Sequence, residues 1–104
     1  MQIQALYNAD KAILRGKVYI KEQETSGNYK FEGILTCMTR GFKNIFEDEA
    51  ILIAGIALKL ITEKYPDNAD YFQTFEYHYN DGKIVKFWCI NDVDHITFLL
   101  PEEY

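Results

Sequence analysis

Residues 70–90 read DYFQTFEYHYNDGKIVKFWCI, and the four residues Asn80-Asp81-Gly82-Lys83 in the middle decide what the flanks must be. Asn and Asp tolerate positive φ and Gly favours it, so a tight reversal falls here. The aromatic and β-branched runs on either side then become the arms of an antiparallel hairpin. A two-residue turn sets the expected register: Tyr79 opposes Ile84, Tyr77 opposes Lys86, Phe75 opposes Trp88 and Gln73 opposes Ile90. That face is expected to be the core, with His78, Glu76, Thr74, Val85, Phe87 and Cys89 on the other.

Working outward, Asn91-Asp92-Val93-Asp94 supplies a second turn. Ile96, Phe98 and Leu100 then alternate with His95, Thr97 and Leu99 in a last strand that Pro101 ends. Upstream, Phe46, Ala50, Ile53, Ala57, Leu60 and Ile61 recur at three- and four-residue steps, which is the stripe of a helix. Asn44 with Glu47 three residues later resembles a capping box and predicts the start; Tyr65-Pro66 predicts the stop near Lys64. Ile45, Ile51, Leu52, Ile56 and Leu58 leave little polar circumference, so the helix should be covered on more than one side, by an N-terminal hairpin or by a second subunit approaching over Ala54 and Gly55. That hairpin is expected over residues 11–38. Ala12, Leu14, Gly16, Val18 and Ile20 alternate with Arg15, Lys17, Tyr19 and Lys21, and Tyr29 to Cys37 repeats the pattern after a polar turn. Gly16 and Gly33, on the apolar side, predict a bulge or a close approach to the backbone, here by the helix. The expected fold is α+β: one amphipathic, largely buried helix on an antiparallel sheet of about five strands, in the order β-β-α-β-β-β, forming a single domain over residues 1–104.

The 104 residues are 48% hydrophobic and 26% charged, enough for one core and too apolar for disorder. The longest apolar run, Ala50 to Leu58, is about half of a bilayer span, and no basic-then-apolar leader opens the sequence, so a cytoplasmic protein without membrane contact is expected. Cys37 and Cys89 lack metal-site or framework spacing and read as free thiols. Charge is lopsided. Residues 1–44 carry seven basic and four acidic side chains, and residues 45–104 carry four basic and twelve acidic, giving -5 in total. A general DNA binder would carry the opposite sign, so no direct nucleic-acid partner is expected.

From Met38 onward, Thr39-Arg40-Gly41 before a helix, Asp70-Tyr71-Phe72-Gln73-Thr74-Phe75-Glu76 after it, and the ending from Ile90 to Tyr104 with Asp92, His95, Leu99-Leu100 and Glu102-Glu103-Tyr104 form a recognisable pattern. In these features the sequence resembles an uncharacterised small-protein family of Gram-positive phages, plasmids and chromosomal cassettes. Members of that family begin close to the Thr-Arg-Gly and carry Asp-Asp where this chain has Asn91-Asp92; the segment 11–38 departs from the pattern. The resemblance implies a setting rather than an activity: that of the small accessory proteins of mobile elements, many of which act by binding a host enzyme.

Among chemistry-bearing groups, Asp92, Asp94 and His95 at one turn are the strongest candidates for a metal site or acid-base work, weighed against turn capping by the same residues. No phosphate loop, zinc motif or nucleophile elbow is present, and neither a cofactor nor an enzymatic activity is expected. The aromatic group Tyr71, Phe72, Phe75, Tyr77, Tyr79, Phe87 and Trp88 could stack nucleobases, but with only Lys83 and Lys86 beside it in sequence it reads as core and subunit contact. The expected function is therefore a non-enzymatic interaction protein that inhibits a host nucleic-acid or defence enzyme by offering the carboxylates of Glu102, Glu103, Asp92 and Asp94 to its basic groove; the basic face of Arg15, Lys17 and Lys21 is the next candidate contact surface. A self-associating regulatory or scaffold module, a homodimer through the helix and the aromatic sheet, is the alternative; a metal or hydrolytic protein using Asp92, Asp94 and His95 is the minority reading.

Overall fold

The structure is a computed structural model and describes residues 14–104; Lys11, Ala12 and Ile13 of the expected first strand lie outside the described residues. Five strands form one sheet: β1 (Gly16–Ile20), β2 (Leu35–Met38), β3 (Phe72–Tyr79), β4 (Ile84–Asn91) and β5 (His95–Leu99). Helical structure runs from α1 (Arg40–Phe46) through a 3-10 turn (Glu47–Glu49) to α2 (Ala50–Lys64), and a second 3-10 turn (Pro101–Glu103) ends the chain. The fold is the expected α+β arrangement with the expected chain order.

The spatial order is β1-β3-β4-β5-β2, and this overturns the N-terminal hairpin. β1 and β2 occupy opposite edges: β1 pairs antiparallel with β3, and β2 pairs parallel with β5. Four strand spacings separate the edges, roughly 19 Å, which the segment 21–34 crosses with length to spare. That segment is a strap. Gly27 and Tyr29 donate backbone N–H bonds to the Asn68 and Ala69 carbonyls, and Phe31 is buried while Tyr29 and Ile34 pack on the core. One side of the apolar helix is thus covered by the strap rather than by a hairpin. Gly55, where close approach was expected, is exposed with open space around it.

The β3–β4 hairpin is one residue out of the expected register. His78 opposes Ile84 and Phe75 opposes Phe87. The cause is the turn: Tyr79 N–H donates to Lys83 O and Gly82 N–H to Tyr79 O, with Gly82 at φ 98, so the loop holds three residues and Gly82 forms a bulge. Lengthening the loop by one residue keeps the expected inner face of β3 but flips β4. Gln73, Phe75 and Tyr77 are buried as expected, but their partners in the core are Val85, Phe87 and Cys89, while Ile84, Lys86, Trp88 and Ile90 face outward.

The helix starts earlier than Asn44. Thr39 is the cap, its Oγ1 accepting the Phe42 N–H at 3.2 Å, and Asn44 lies inside α1. Glu47 does not close a capping box; it stands at φ 53 where the 3-10 turn redirects the chain. The core forms between this helix and the inner sheet face. Phe42 meets Phe87 and Phe98 at 5.4 and 5.5 Å, Phe46 meets Tyr77 at 5.4 Å, and Phe75 stacks on Phe87 at 5.0 Å. Each such ring removed from water contributes on the order of 2–3 kcal/mol. Gly16 does mark a close approach, but to β3: a Cβ there would strike the His78 carbonyl. Gly33 has no such neighbour and instead takes φ 71 in the strap.

Candidate interaction surface

At the β4–β5 turn, His95 Nε2 lies 3.2 Å from Asp92 Oδ2, and Asp92 N–H donates to the His95 carbonyl at 2.9 Å. Asn91 Oδ1 accepts the Val93 N–H at 2.7 Å. Asp94 is exposed, and among the described residues no three His, Cys, Asp or Glu side chains converge to hold a metal ion. These groups stitch the turn together, as Asp and Asn in turns do.

The acids expected to meet a partner divide sharply. Glu103 is occupied: its carboxylate accepts from the Thr39 hydroxyl at 2.5 Å, the Leu100 N–H at 2.8 Å and the Gly41 N–H at 2.9 Å. The Thr39 hydroxyl, followed by the two amides, holds the Glu103 carboxyl below the ordinary carboxylate range. Glu102 is exposed. In the helical acidic cluster, Glu49 is buried and accepts from Arg15 Nε at 2.7 Å and from the Tyr77 hydroxyl at 3.1 Å; burial, with the Glu49 charge, pushes the Tyr77 phenol up. Arg15 is therefore committed to Glu49 rather than free on a basic face.

Lys17 and Lys21 remain on the outer face of β1, and the topology gives them neighbours that sequence order hides. Lys17 pairs in register with His78, and Tyr19 with Glu76. Lys21 Nζ reaches Glu76 Oε2 at 3.3 Å, and His78 Nε2 reaches Glu76 Oε1 at 2.8 Å; the His78 bond first, then Lys21, holds the Glu76 carboxyl low. Lys86 of β4 stands on the other side of Glu76. Beside this group the aromatic residues of β3 and β4 split between faces. Phe75, Tyr77 and Phe87 go inward, while Phe72 and Trp88 go outward, 4.9 Å apart, with Tyr71 against Phe72 at 6.1 Å and Tyr104 against Trp88 at 5.5 Å. The helix and strap cover the inner face. The outer one lies opposite the helix; beside it the Pro101–Glu103 turn contacts β4 and Tyr104 lies against Trp88.

Cys37 is exposed on edge strand β2 beside Thr97, and Cys89 is buried with its thiol pushed up by burial. No described helix is long and apolar enough to cross a membrane. Comparison with protein-family models, with curated proteins and with solved structures gave no match to this chain.

Proposed function

We propose that this protein is a non-enzymatic interaction module whose contact surface is the open outer face of the sheet. The observation that carries the reading is the outward group Tyr19, Phe72 and Trp88, joined by Ile84 and Ile90, on the sheet face opposite the helix. A sheet normally buries one face and solvates the other; aromatic residues concentrated on the solvated side are what interfaces are enriched in. The carboxylates are weaker candidates, because Glu103 and Glu49 are consumed inside the fold. The resemblance to accessory proteins of mobile elements supports placing the partner in the nucleic-acid machinery of a host cell, where binding would inhibit it.

The test is affinity capture from a lysate of the source organism with three baits: the wild-type chain, Trp88→Ser with Tyr19→Ser, and Asp48→Ala with Ile51→Ser on the helical side. Species retained by the wild type and by the helical variant but lost with the sheet variant support the reading. Retention by the sheet variant, with its fold verified by circular dichroism, sinks it.

A second reading rests on β2. Leu35, Thr36 and Cys37 are exposed on an uncharged edge strand, the kind of edge that pairs with another chain unless blocked. Antiparallel β2–β2 pairing would give a homodimer. Light scattering at high concentration decides it, and a strict monomer removes it.

A further inference from the structure

Resting on the reading of the open sheet face as the contact surface, we infer that its ligand is a single-stranded nucleic acid. The face combines two features that are separate in sequence. Lys17, Lys21 and Lys86 are its cations, and Glu76, the anion among them, already has Lys21 and His78 as partners. Next to them runs the chain of rings Phe72, Trp88 and Tyr104, at successive centroid distances of 4.9 and 5.5 Å, while Tyr71 beside Phe72 packs on Tyr29 of the strap at 6.0 Å.

This combination selects among ligands. An acidic peptide would satisfy the lysines and leave the rings without stacking partners. A proline-rich peptide or a sugar would satisfy the rings and leave the lysines unpaired. A duplex offers phosphates but keeps its base planes stacked inside. A single strand presents phosphates and base planes together, and stacking on aromatic side chains tolerates any base. A second copy of this chain would bring the same three lysines and a carboxylate, Glu76, that already has partners, so it supplies few free anions for them. The acidic total of the protein does not oppose this. Glu49 is buried, Asp92 sits at the β4–β5 turn and Glu103 is bonded at the helix start. Near the cations the paired Glu76 is joined by Glu102, which lines one pocket with Glu76 and Lys86; charges beyond a Debye length of about 8 Å are screened.

The experiment uses the full chain and its single tryptophan, Trp88, as reporter. Fluorescein-labelled oligo(U) and oligo(dT) of about eight nucleotides, within the usual site size, are titrated with protein while anisotropy and Trp88 fluorescence are recorded. The expected result is saturable binding with Trp88 quenching. Affinity should fall about twentyfold between about 50 and 200 mM salt, as release of counterions at three phosphates requires. K17Q/K21Q/K86Q should flatten that salt dependence, and Phe72→Leu should weaken binding about tenfold, the loss of one stacked base, with circular dichroism of both variants unchanged. Three outcomes overturn the inference: no binding at 50 mM salt up to about 100 μM protein, on the weak side of non-specific binding; equal binding of a duplex; or displacement by poly-glutamate at equal charge. If the oligonucleotides fail while capture from lysate still depends on Trp88 and Tyr19, the ligand assignment falls and the open-face reading stands. If both fail, both fall.

Discussion

The Glu103 carboxylate and the Gly41 backbone N–H, 62 residues apart in sequence, meet at 2.9 Å. Glu103 bonds Thr39 as well, so Thr39-Arg40-Gly41 and the C-terminal Glu-Glu-Tyr, two separate features of the sequence pattern, form one structural unit. The tail caps the start of α1 in a way that no residue within the helix does. A side chain on Gly41 would strike the same carboxylate, which gives a packing reason for glycine there.

Glu103→Ala should therefore lower stability by about 1–2 kcal/mol, the scale of a lost N-cap, whereas Glu102→Ala should change it by less than about 0.5 kcal/mol. Because the Glu103 carboxyl is held below its ordinary value of 4.5, its contribution is full above that pH and is lost as pH falls through the lower folded value. Melting curves of wild type and Glu103→Ala should differ by a constant amount at neutral pH and converge on acidification below 4.5. A constant gap into strong acid would show that the carboxylate is not the stabilising form.

Asn91 is buried, and its Nδ2 donates to the Lys30 carbonyl of the strap at 2.6 Å. Aspartate at this place would put a carboxylate oxygen against a carbonyl oxygen. Asn91→Asp should cost about 1–3 kcal/mol, the penalty for a buried polar group left without its partner. The deficit should shrink on acidification, when the carboxyl regains a proton to donate. Urea titration at two pH values measures both effects.

Val93 adopts φ 77 at the tip of the β4–β5 turn and is 69% exposed. A β-branched residue in the left-handed region is strained and here gains little packing in return. Val93→Gly should raise stability by about 0.5–1 kcal/mol, the relief of strain being partly offset by the greater freedom of glycine in the unfolded chain. No gain in thermal midpoint would mean that the side chain has a contact partner.

The two thiols should react in sequence with a colorimetric disulfide reagent. Cys37, exposed on β2, should react in the native protein, and Cys89, buried with its thiol pushed up, only after denaturation. Rapid native labelling of both would place Cys89 outside the core.

Local chemistry was enough to read which segments are strands and which is the helix. The two-residue alternation in Val18 to Ile20 and in Ile96 to Leu100, the three- and four-residue steps from Phe46 to Ile61, and Tyr65-Pro66 all act within a few residues, and these elements formed where their patterns lie. The alternation that starts at Tyr29, by contrast, became a strand only over Leu35–Met38, its first part being drawn into the strap. Alternation says that a strand is half-buried; it carries nothing about which strand lies beside it. β1 and β2 each met that description and were free, from sequence, to pair with each other. Only the tertiary structure set them at opposite edges, where the strap could close over the helix and both could satisfy an open ladder. The outward face followed from the same step. One extra residue in the Gly82 loop turned Trp88 outward and Phe87 inward, and the pairing of β1 with β3 brought Lys17 and Lys21 beside rings more than 50 residues away. Such a surface is a product of long-range register. Side-chain period fixes a face only relative to its own strand, and the choice between the two faces is made by burial of the whole sheet against the helix.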